Sequence, residues 1–415
     1  MGRKSIVAER RANHTRRPSP ATAVRPIVTD EEAIDAAETL ARRFGKNAAL
    51  RDKHRVLPWD EIEAYSASGL GTITVPKAYG GPELSFVTLV RVFEILCTAD
   101  PSLGQIPQNH FGVLALLRDL GSEEQKQRFY ADVLKGERIG NAGPERGRKS
   151  ISHVATRVTA KPGGLRLTGQ RFYSTGALFA HWIPTRAIDD EGRPVQVWAR
   201  FDAPGLTVID DWSSFGQRTT ASGTVEFDDV PIEPIQVVPV WPAADQPGLW
   251  GPISQIIQAA IDAGIARAAI DETMAFVRDR ARPWMDSGLE RAADDPTIIH
   301  EIGHLETELE AAQALLHHAA GILDALSVQP VTAETSAKAS VAVAEAKILT
   351  TEIALEASEK LFDLAGSSAT RAAHGLDRHW RNARVHTLHD PVRWKCHLLG
   401  NYYLNGALPV RHQWN

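Results

Sequence analysis

Between Asp30 and about Lys135 apolar residues recur at three- and four-residue steps, the period of helices packed on one side. Ile34, Ala37, Leu40, Ala41 and Phe44 share one face of a first predicted helix. Thr29-Asp30-Glu31-Glu32 opens it with a capping hydroxyl and acids that complement the helix dipole. Pro76-Lys77-Ala78-Tyr79-Gly80-Gly81 is a turn cluster. The helix beyond it carries Leu84, Val87, Leu89, Val90, Phe93 and Leu96, and Gly121-Ser122-Glu123-Glu124 opens another. Near residue 150 the period drops to two. Val154, Thr156 and Val158 alternate, Pro162-Gly163-Gly164 turns, and Leu165, Leu167 and Gly169 resume. Similar runs cover Val195 to Phe201, Leu206 to Ile209 and Thr224 to Phe227. Six or so strands at this spacing predict a compact β-barrel or sandwich. From about Trp250 the helical period returns in three alanine-rich stretches, Ala259 to Val277, Ile298 to Leu326 and Glu334 to Leu364, which imply a bundle. The predicted class is α+β: an N-terminal helical domain over 29–137, a β-barrel domain over 138–242 and a C-terminal four-helix bundle over 243–415.

Composition changes this picture little. The 415 residues are 43% hydrophobic and 23% charged, with a formal net charge of -5, which gives no reason to expect nucleic-acid binding. No apolar run approaches the ~20 residues of a membrane span, and the charged start lacks a signal region, so a cytoplasmic protein is expected. Residues 1–28 stand apart. Arg3, Lys4, Arg10, Arg11, Arg16 and Arg17 face Glu9, with Pro18 and Pro20 following, a composition that predicts a disordered basic tail. Cys97 and Cys396 are the two cysteines, expected as reduced, buried thiols.

Short motifs exclude several chemistries. His300-Glu301-Ile302-Gly303-His304 has the form of a zinc-protease helix. On that helix, however, Ile298, Ile302, Leu305, Leu309 and Leu316 face the core while both histidines point away, so solvated histidines and no metal are expected. The glycine pairs near 69–71 and 80–81 lack the dinucleotide spacing, and neither a phosphate-binding loop nor a hydrolase elbow is present. Phe172-Tyr173-Ser174-Thr175-Gly176-Ala177 gathers rings, hydroxyls and a glycine at a strand end. It suits a flavin wall, and equally an aromatic strand end packed in the core. Arg381, Asn382, Arg384, His386, His389 and Asp390 crowd into ten residues, with His374, His379 and His397 nearby. Such a cluster suits proton transfer near neutrality, or a metal of no standard spacing.

Longer strings carry a resemblance. Ala99-Asp100-Pro101-Ser102-Leu103-Gly104-Gln105, Gln108-Asn109-His110-Phe111, the 172–177 string, Asp211-Trp212 with Phe215-Gly216-Gln217-Arg218, and the run from His379 to Pro391 make residues 30–410 resemble the acyl-CoA dehydrogenase superfamily. Within it they are most similar to the flavin monooxygenase branch of dibenzothiophene monooxygenase and the sulfur acquisition oxidoreductases. The resemblance implies a two-component enzyme. A separate flavin reductase supplies reduced FMN, dioxygen adds to give a C4a-hydroperoxyflavin, and a small organosulfur compound receives the oxygen. It places Ser174 at flavin N5 and Phe172 beside the isoalloxazine, with Asn141 and Trp212 lining the pocket. His389 and His110 face the reactive side, and Arg280 and Arg282 reach the flavin phosphate from a neighbouring subunit of a homotetramer. Three departures stand out. His389-Asp390-Pro391 replaces the glutamate base of dehydrogenases, Pro144 stands where relatives place a hydroxyl donor, and Ser368 lies where they carry a phosphate-gripping arginine, for which Arg371 is a substitute. The alternatives are an FAD-dependent acyl-CoA dehydrogenase and a non-catalytic flavin-binding relative.

Overall fold

The computed structural model of the chain describes residues 16–19, 23–146 and 154–415. Seven helices come first: α1 (Asp30–Gly45), α2 (Ala48–His54), α3 (Trp59–Ser68), α4 (Phe86–Ala99), α5 (Pro101–Gln105), α6 (Gln108–Leu120) and α7 (Glu123–Leu134). The Thr29 hydroxyl accepts from Glu32 N–H while the Glu32 carboxylate takes Thr29 N–H, so the sequence signal at α1 is a capping box. Ser122 and Gln125 repeat it at α7. Most of the basic segment expected to be a disordered tail, residues 1–15 and 20–22, lies outside the described residues. The stretches of it that are described contact the body: Arg16 pairs with Asp60 at 2.6 Å, and Ser19 O accepts from His181 Nε2 at 2.9 Å.

The middle unit departs from expectation. Its strands are β1 (Arg157–Lys161), β2 (Gly164–Arg171), β3 (Trp182–Ile188), β4 (Pro194–Arg200), β5 (Leu206–Ile209), β6 (Thr224–Ile232) and β7 (Val237–Pro239). They form one sheet in the order β5-β6-β2-β1-β3-β4-β7. Every pairing is antiparallel except β1 with β3, which run parallel at Arg157↔Ile188. The terminal strands β5 and β7 do not pair with each other, so this is an open mixed sheet and not the expected closed barrel. Alternation in sequence reports that a strand has a buried face; whether the sheet closes depends on edges that alternation does not encode. One face packs on α6 and α7, where Phe129 stacks on Trp198 at 4.1 Å and Trp182 meets Phe129 edge-on.

Three long helices follow, α8 (Trp250–Asp279), α9 (Pro296–Ser327) and α10 (Ala333–Ala365), then α11 (Asp377–His386) and α12 (Arg393–Asn405). Helix α8 begins nine residues before its sequence pattern, because Pro252 and Gly251 sit in the first turn, where a missing N–H costs nothing. It is long and apolar enough to cross a membrane, but 89% of its most apolar stretch is buried inside the protein. It is the core helix, packed on by α4, α6, α9 and α10. The apolar core is continuous from Phe44 and Phe93 through Phe179 to Ile257 and Leu316, so the sheet and both helical units share it. Of the two thiols expected to be buried, Cys97 is buried and Cys396 is exposed on α12, a helix whose one buried side chain is Lys395.

The register of α8 against α4 depends on Gly264. A Cβ there meets Glu94 O at 2.8 Å and Cys97 Cβ at 2.6 Å, so the two backbones are in direct contact. Gly264→Ala must push the helices apart, and overpacking of this kind costs about 1–3 kcal/mol. Thermal denaturation of the variant should show a Tm several degrees lower. An unchanged Tm would mean that the crossing relaxes freely.

Candidate active site

Three residues other than glycine adopt left-handed backbone around one corner of the sheet: Tyr173 (φ 54), Gln217 (φ 47) and Ala221 (φ 49). Such residues store about 1–3 kcal/mol of strain each and persist where neighbours hold them. The holding groups are a chain of hydroxyls, Thr175 Oγ1 to Ser222 Oγ at 2.8 Å and Ser222 Oγ to Thr220 Oγ1 at 2.7 Å. Ser174 N–H donates to Gly223 O at 3.2 Å and Phe172 N–H to Pro144 O at 2.9 Å. Trp212 Nε1 donates to Gln217 O at 2.8 Å, and its ring meets Tyr173 edge-on. The turn thereby aims the Ser174 hydroxyl inward. It is fully buried, and its Oγ has no hydrogen-bond partner among the described residues. The Gln217 amide is in the same condition.

This corner closes onto α11. Gln217 N–H donates to Asn382 Oδ1 at 2.7 Å, and Gly216 lies so close to the helix that a Cβ there would be 1.9 Å from Arg381 O. Arg381 locks the contact by binding Phe215 O at 2.8 Å and the Asp52 carboxylate. One turn beyond Asn382 stands His386, whose Nδ1 is 2.5 Å from Asp262 Oδ1, both side chains fully buried. Thr351 donates to the other oxygen of Asp262 at 3.0 Å. His386 Nε2 has no partner among the described residues. Next comes His389, its Nε2 3.5 Å from Gln258 Nε2 and its Nδ1 3.5 Å from Asp390 Oδ1. About a third of its side chain, 35%, is open. Burial lowers its pKa, Asp390 opposes that, and Lys347 and His386 add to it, so it is neutral at pH 7. Gln255, Gln258 and Asp262 fall at i, i+3 and i+7, one face of α8, turned toward these histidines. None of the three was visible as a site residue in the sequence, because an amide or acid inside an apolar helix reads as a break in the pattern.

The other expected site residues divide. Asn141 lies beside this turn: a Cβ on Gly143 would be 3.1 Å from its amide nitrogen and 3.3 Å from Phe172 O. Phe172 is buried, with the Arg146 guanidinium 3.8 Å over its ring. His110 is committed elsewhere. Its Nε2 binds Gly71 O at 2.8 Å and its Nδ1 accepts from Ile139 N–H at 3.1 Å, which leaves neither nitrogen for a ligand. In place of the expected reactive face it pins α6 to the first residues of the sheet unit. Arg280 and Arg282 sit at the far end of α8, where Arg280 binds His374 at 2.9 Å. Arg280 is 22 residues beyond Gln258, about 33 Å along the helix axis. His300 and His304 are exposed, and His304 gathers with the half-buried Glu308 and Glu356 where α9 meets α10, their polar atoms within 4.8 Å of one another.

The flavin implied by the sequence resemblance fits this corner. Its ring needs apolar walls and a buried donor at its reactive nitrogen. Phe172 and Trp212 are rings that could serve as walls, and the unpartnered Ser174 hydroxyl is a buried donor. The Gln217 and Gln255 amides, the Gln258 amide oxygen and His386 Nε2 are further buried polar atoms without a partner among the described residues.

Comparison with known proteins agrees with the sequence resemblance. Residues 29–137 match the acyl-CoA dehydrogenase N-terminal domain and residues 256–394 the acyl-CoA dehydrogenase C-terminal domain. The dibenzothiophene monooxygenase of Mycolicibacterium goodii is 32% identical over 394 residues, covering 91% of this chain and 95% of the relative. The probable FMNH2-dependent monooxygenase SfnC of Pseudomonas putida is 28% identical, covering 91% and 96%. The crystal structure of FMN-bound TdsC from Paenibacillus sp. A11-2 superposes with a TM-score of 0.88 at 31% identity, covering 92% of this chain and 100% of that one.

The pinning of His110 makes stability depend on pH. Burial pushes its pKa down to about 4, and that of His181 likewise to about 4. Between pH 4 and 6.5 the unfolded chain therefore binds protons that the folded chain refuses, and stability rises with pH across that window. At pH 5 each group costs roughly 2 kcal/mol relative to pH 7. Urea denaturation should show this loss between pH 7 and 5. In His110→Asn, which keeps the acceptor for Ile139 N–H, the loss should be smaller by about one histidine's share. An identical slope in the variant would show that His110 takes up its proton without unfolding.

Proposed function

The chain belongs to the acyl-CoA dehydrogenase family, and we propose that it works as a monooxygenase of the flavin branch, using reduced FMN and dioxygen to oxygenate a small organosulfur compound. Reduced FMN supplies the two electrons that split dioxygen, one oxygen atom going to sulfur and the other leaving as water. What the chain itself contributes is a dry, polar-tipped corner. The observation that carries the reading is the buried, unpartnered Ser174 hydroxyl on a turn whose Gln217 N–H binds Asn382 of α11, the helix that leads to His389. Phe172 and Trp212 would flank the ring, with Asn141, Gln217 and the Ser174 hydroxyl as the polar groups that would hold its edge. His389 would act through Nε2 as an acceptor for the proton of an O–H group. Exclusion of water from such a corner keeps the oxygen-transferring species from decaying to hydrogen peroxide.

Arg280 and Arg282 are too far along α8 to touch a flavin held by Ser174 of the same chain. They suit the flavin phosphate of a second copy, and we assign them that role in a homotetramer. Exposed Trp284 and Met285 beside them favour burial by another subunit. The chain has no dinucleotide fingerprint, so the electrons come from a separate flavin reductase, and we place the enzyme in the cytoplasm. The FAD-dependent dehydrogenase reading is weaker. It needs a carboxylate free to take a proton, and the Asp390 carboxylate at that place is already bound by Lys347 at 2.9 Å.

With reduced FMN from a reductase, the wild-type protein should couple oxygen consumption to oxygenation of a thioether, sulfoxide or sulfinate. His389→Ala should lower product formation about a hundredfold or more, the contribution of a positioned acid–base group, with the oxygen recovered as hydrogen peroxide. Oxygenation at the wild-type rate in that variant would remove His389 from the mechanism.

A further inference from the structure

We infer that Asp390, clamped between Lys347 and Lys395, is a positioning residue that fixes His389 as the tautomer protonated on Nδ1, leaving Nε2 as the lone-pair nitrogen opposite the Gln258 amide. The inference rests on the role given to His389 above and identifies what sets its chemistry.

The geometry leaves little choice. Asp390 Oδ1 accepts from Lys347 Nζ at 2.9 Å, with only 2% and 7% of the two side chains exposed. Its Oδ2 faces Lys395 Nζ at 3.9 Å. Lys395 is itself anchored, donating to Trp414 O and, at 3.1 Å, to Asn415 Oδ1. A carboxylate in this setting has only acceptors, so a His389 nitrogen 3.5 Å away must carry hydrogen to be tolerated there. That nitrogen is Nδ1. In a neutral ring Nε2 is then an acceptor, and the group opposite it is the Gln258 amide nitrogen, a donor. The two contacts agree on one tautomer. If the ring gained a proton, Nε2 would become a donor and the Gln258 amide would have to turn its oxygen, which has no partner among the described residues, toward it. Gln258 thus accommodates both protonation states of His389 by rotating one amide.

The same clamp removes Asp390 from proton transfer. Burial alone would raise its carboxyl, but Lys347, with His389 and Lys395, holds it well below the usual carboxylate range. Lys395 is pushed down to about 8 by burial, Asp390 opposing and Lys347 assisting. The charged and titratable groups around His389 are Asp262 on α8, Lys347 on α10, His386 on α11 and Lys395 on α12, together with Asp390 itself. His412 is nearby, lowered by burial and by Lys395. Two lysines face one carboxylate here, and this excess of positive charge disfavours a second proton on the His389 ring.

The test uses flavin-free, full-length protein labelled with 15N-histidine, with His389 identified by its loss in His389→Gln. Wild type should show Nδ1–H, Nε2-unprotonated nitrogen shifts at pH 7. Asp390→Asn should lose that preference, and in the reductase-coupled assay its yield of oxygenated product per dioxygen should fall about tenfold. Lys347→Met should raise the midpoint of His389 titration, and Lys347→Arg should bring it back. Nε2–H shifts in the wild type, retention of the Nδ1–H tautomer in Asp390→Asn, or an unmoved midpoint in Lys347→Met would each overturn the inference. These nitrogen shifts need neither flavin nor turnover, so they decide the positioning role even if the monooxygenase reading fails.

Discussion

A helix buried on nearly every side must give each of its polar side chains something to bind, and α8 is such a helix. An unpaired buried polar group costs about 1–3 kcal/mol, so the stripe of Gln255, Gln258 and Asp262 would be a liability unless it faced partners. Asp262 has two, His386 and Thr351, and Gln258 has His389. The Gln255 amide has none among the described residues. The position of this stripe is in turn set by backbone contact with α4 at Gly264. The location of this polar stripe is thus inherited from how tightly two core helices cross.

The other half of the site is held by strain. Tyr173, Gln217 and Ala221 would each prefer a different backbone, and the Thr175–Ser222–Thr220 hydroxyl chain keeps them where they are. In a turn held this way the Ser174 hydroxyl is left without a partner among the described residues. Rigid donors aimed in advance are worth more to a reaction than mobile ones, because no reorganisation is needed as charge moves. The halves meet where Gln217 N–H binds Asn382 and where Gly216 lets the loop touch the α11 backbone. Any side chain at Gly216 would separate the Ser174 turn from the histidines.

Much of this was legible in the sequence, and the failures have physical reasons. The order of helices, strands and long helices follows from period alone, since burial of one face enforces it. Sheet closure does not, and the seven strands form an open sheet with one parallel step in place of a barrel. The crowd from His379 to Asp390 announced itself by density. Its partners Gln258, Asp262 and Lys347 did not, because each is a lone polar residue in an apolar helix, distant in sequence from the cluster it serves. His110 misled for the opposite reason. It lies in a distinctive string, but a histidine between two backbone groups serves as well to join segments as to do chemistry, and its two nitrogens are spent on Gly71 and Ile139. Cys396 was expected inside because thiols usually are, yet α12 has almost no buried face.

The Asp390 corner shows how one scaffold serves opposite proton chemistries. A dehydrogenase needs a carboxylate with a vacant lone pair beside the substrate, so that a carbon-bound proton can leave to it. Here the carboxylate is one methylene shorter, sits behind a histidine and spends its charge on Lys347 and Lys395. What this corner presents beside the carboxylate is therefore an imidazole whose Nε2 lone pair meets the Gln258 amide, in a site where burial and Lys347 oppose a second proton. Such a group is a weak base toward carbon acids but a good acceptor for an O–H hydrogen bond, which an oxygen-transferring flavin needs in order not to lose peroxide. Shortening the carboxylate by one methylene and binding it from two other helices takes its charge out of reach of a carbon-bound proton.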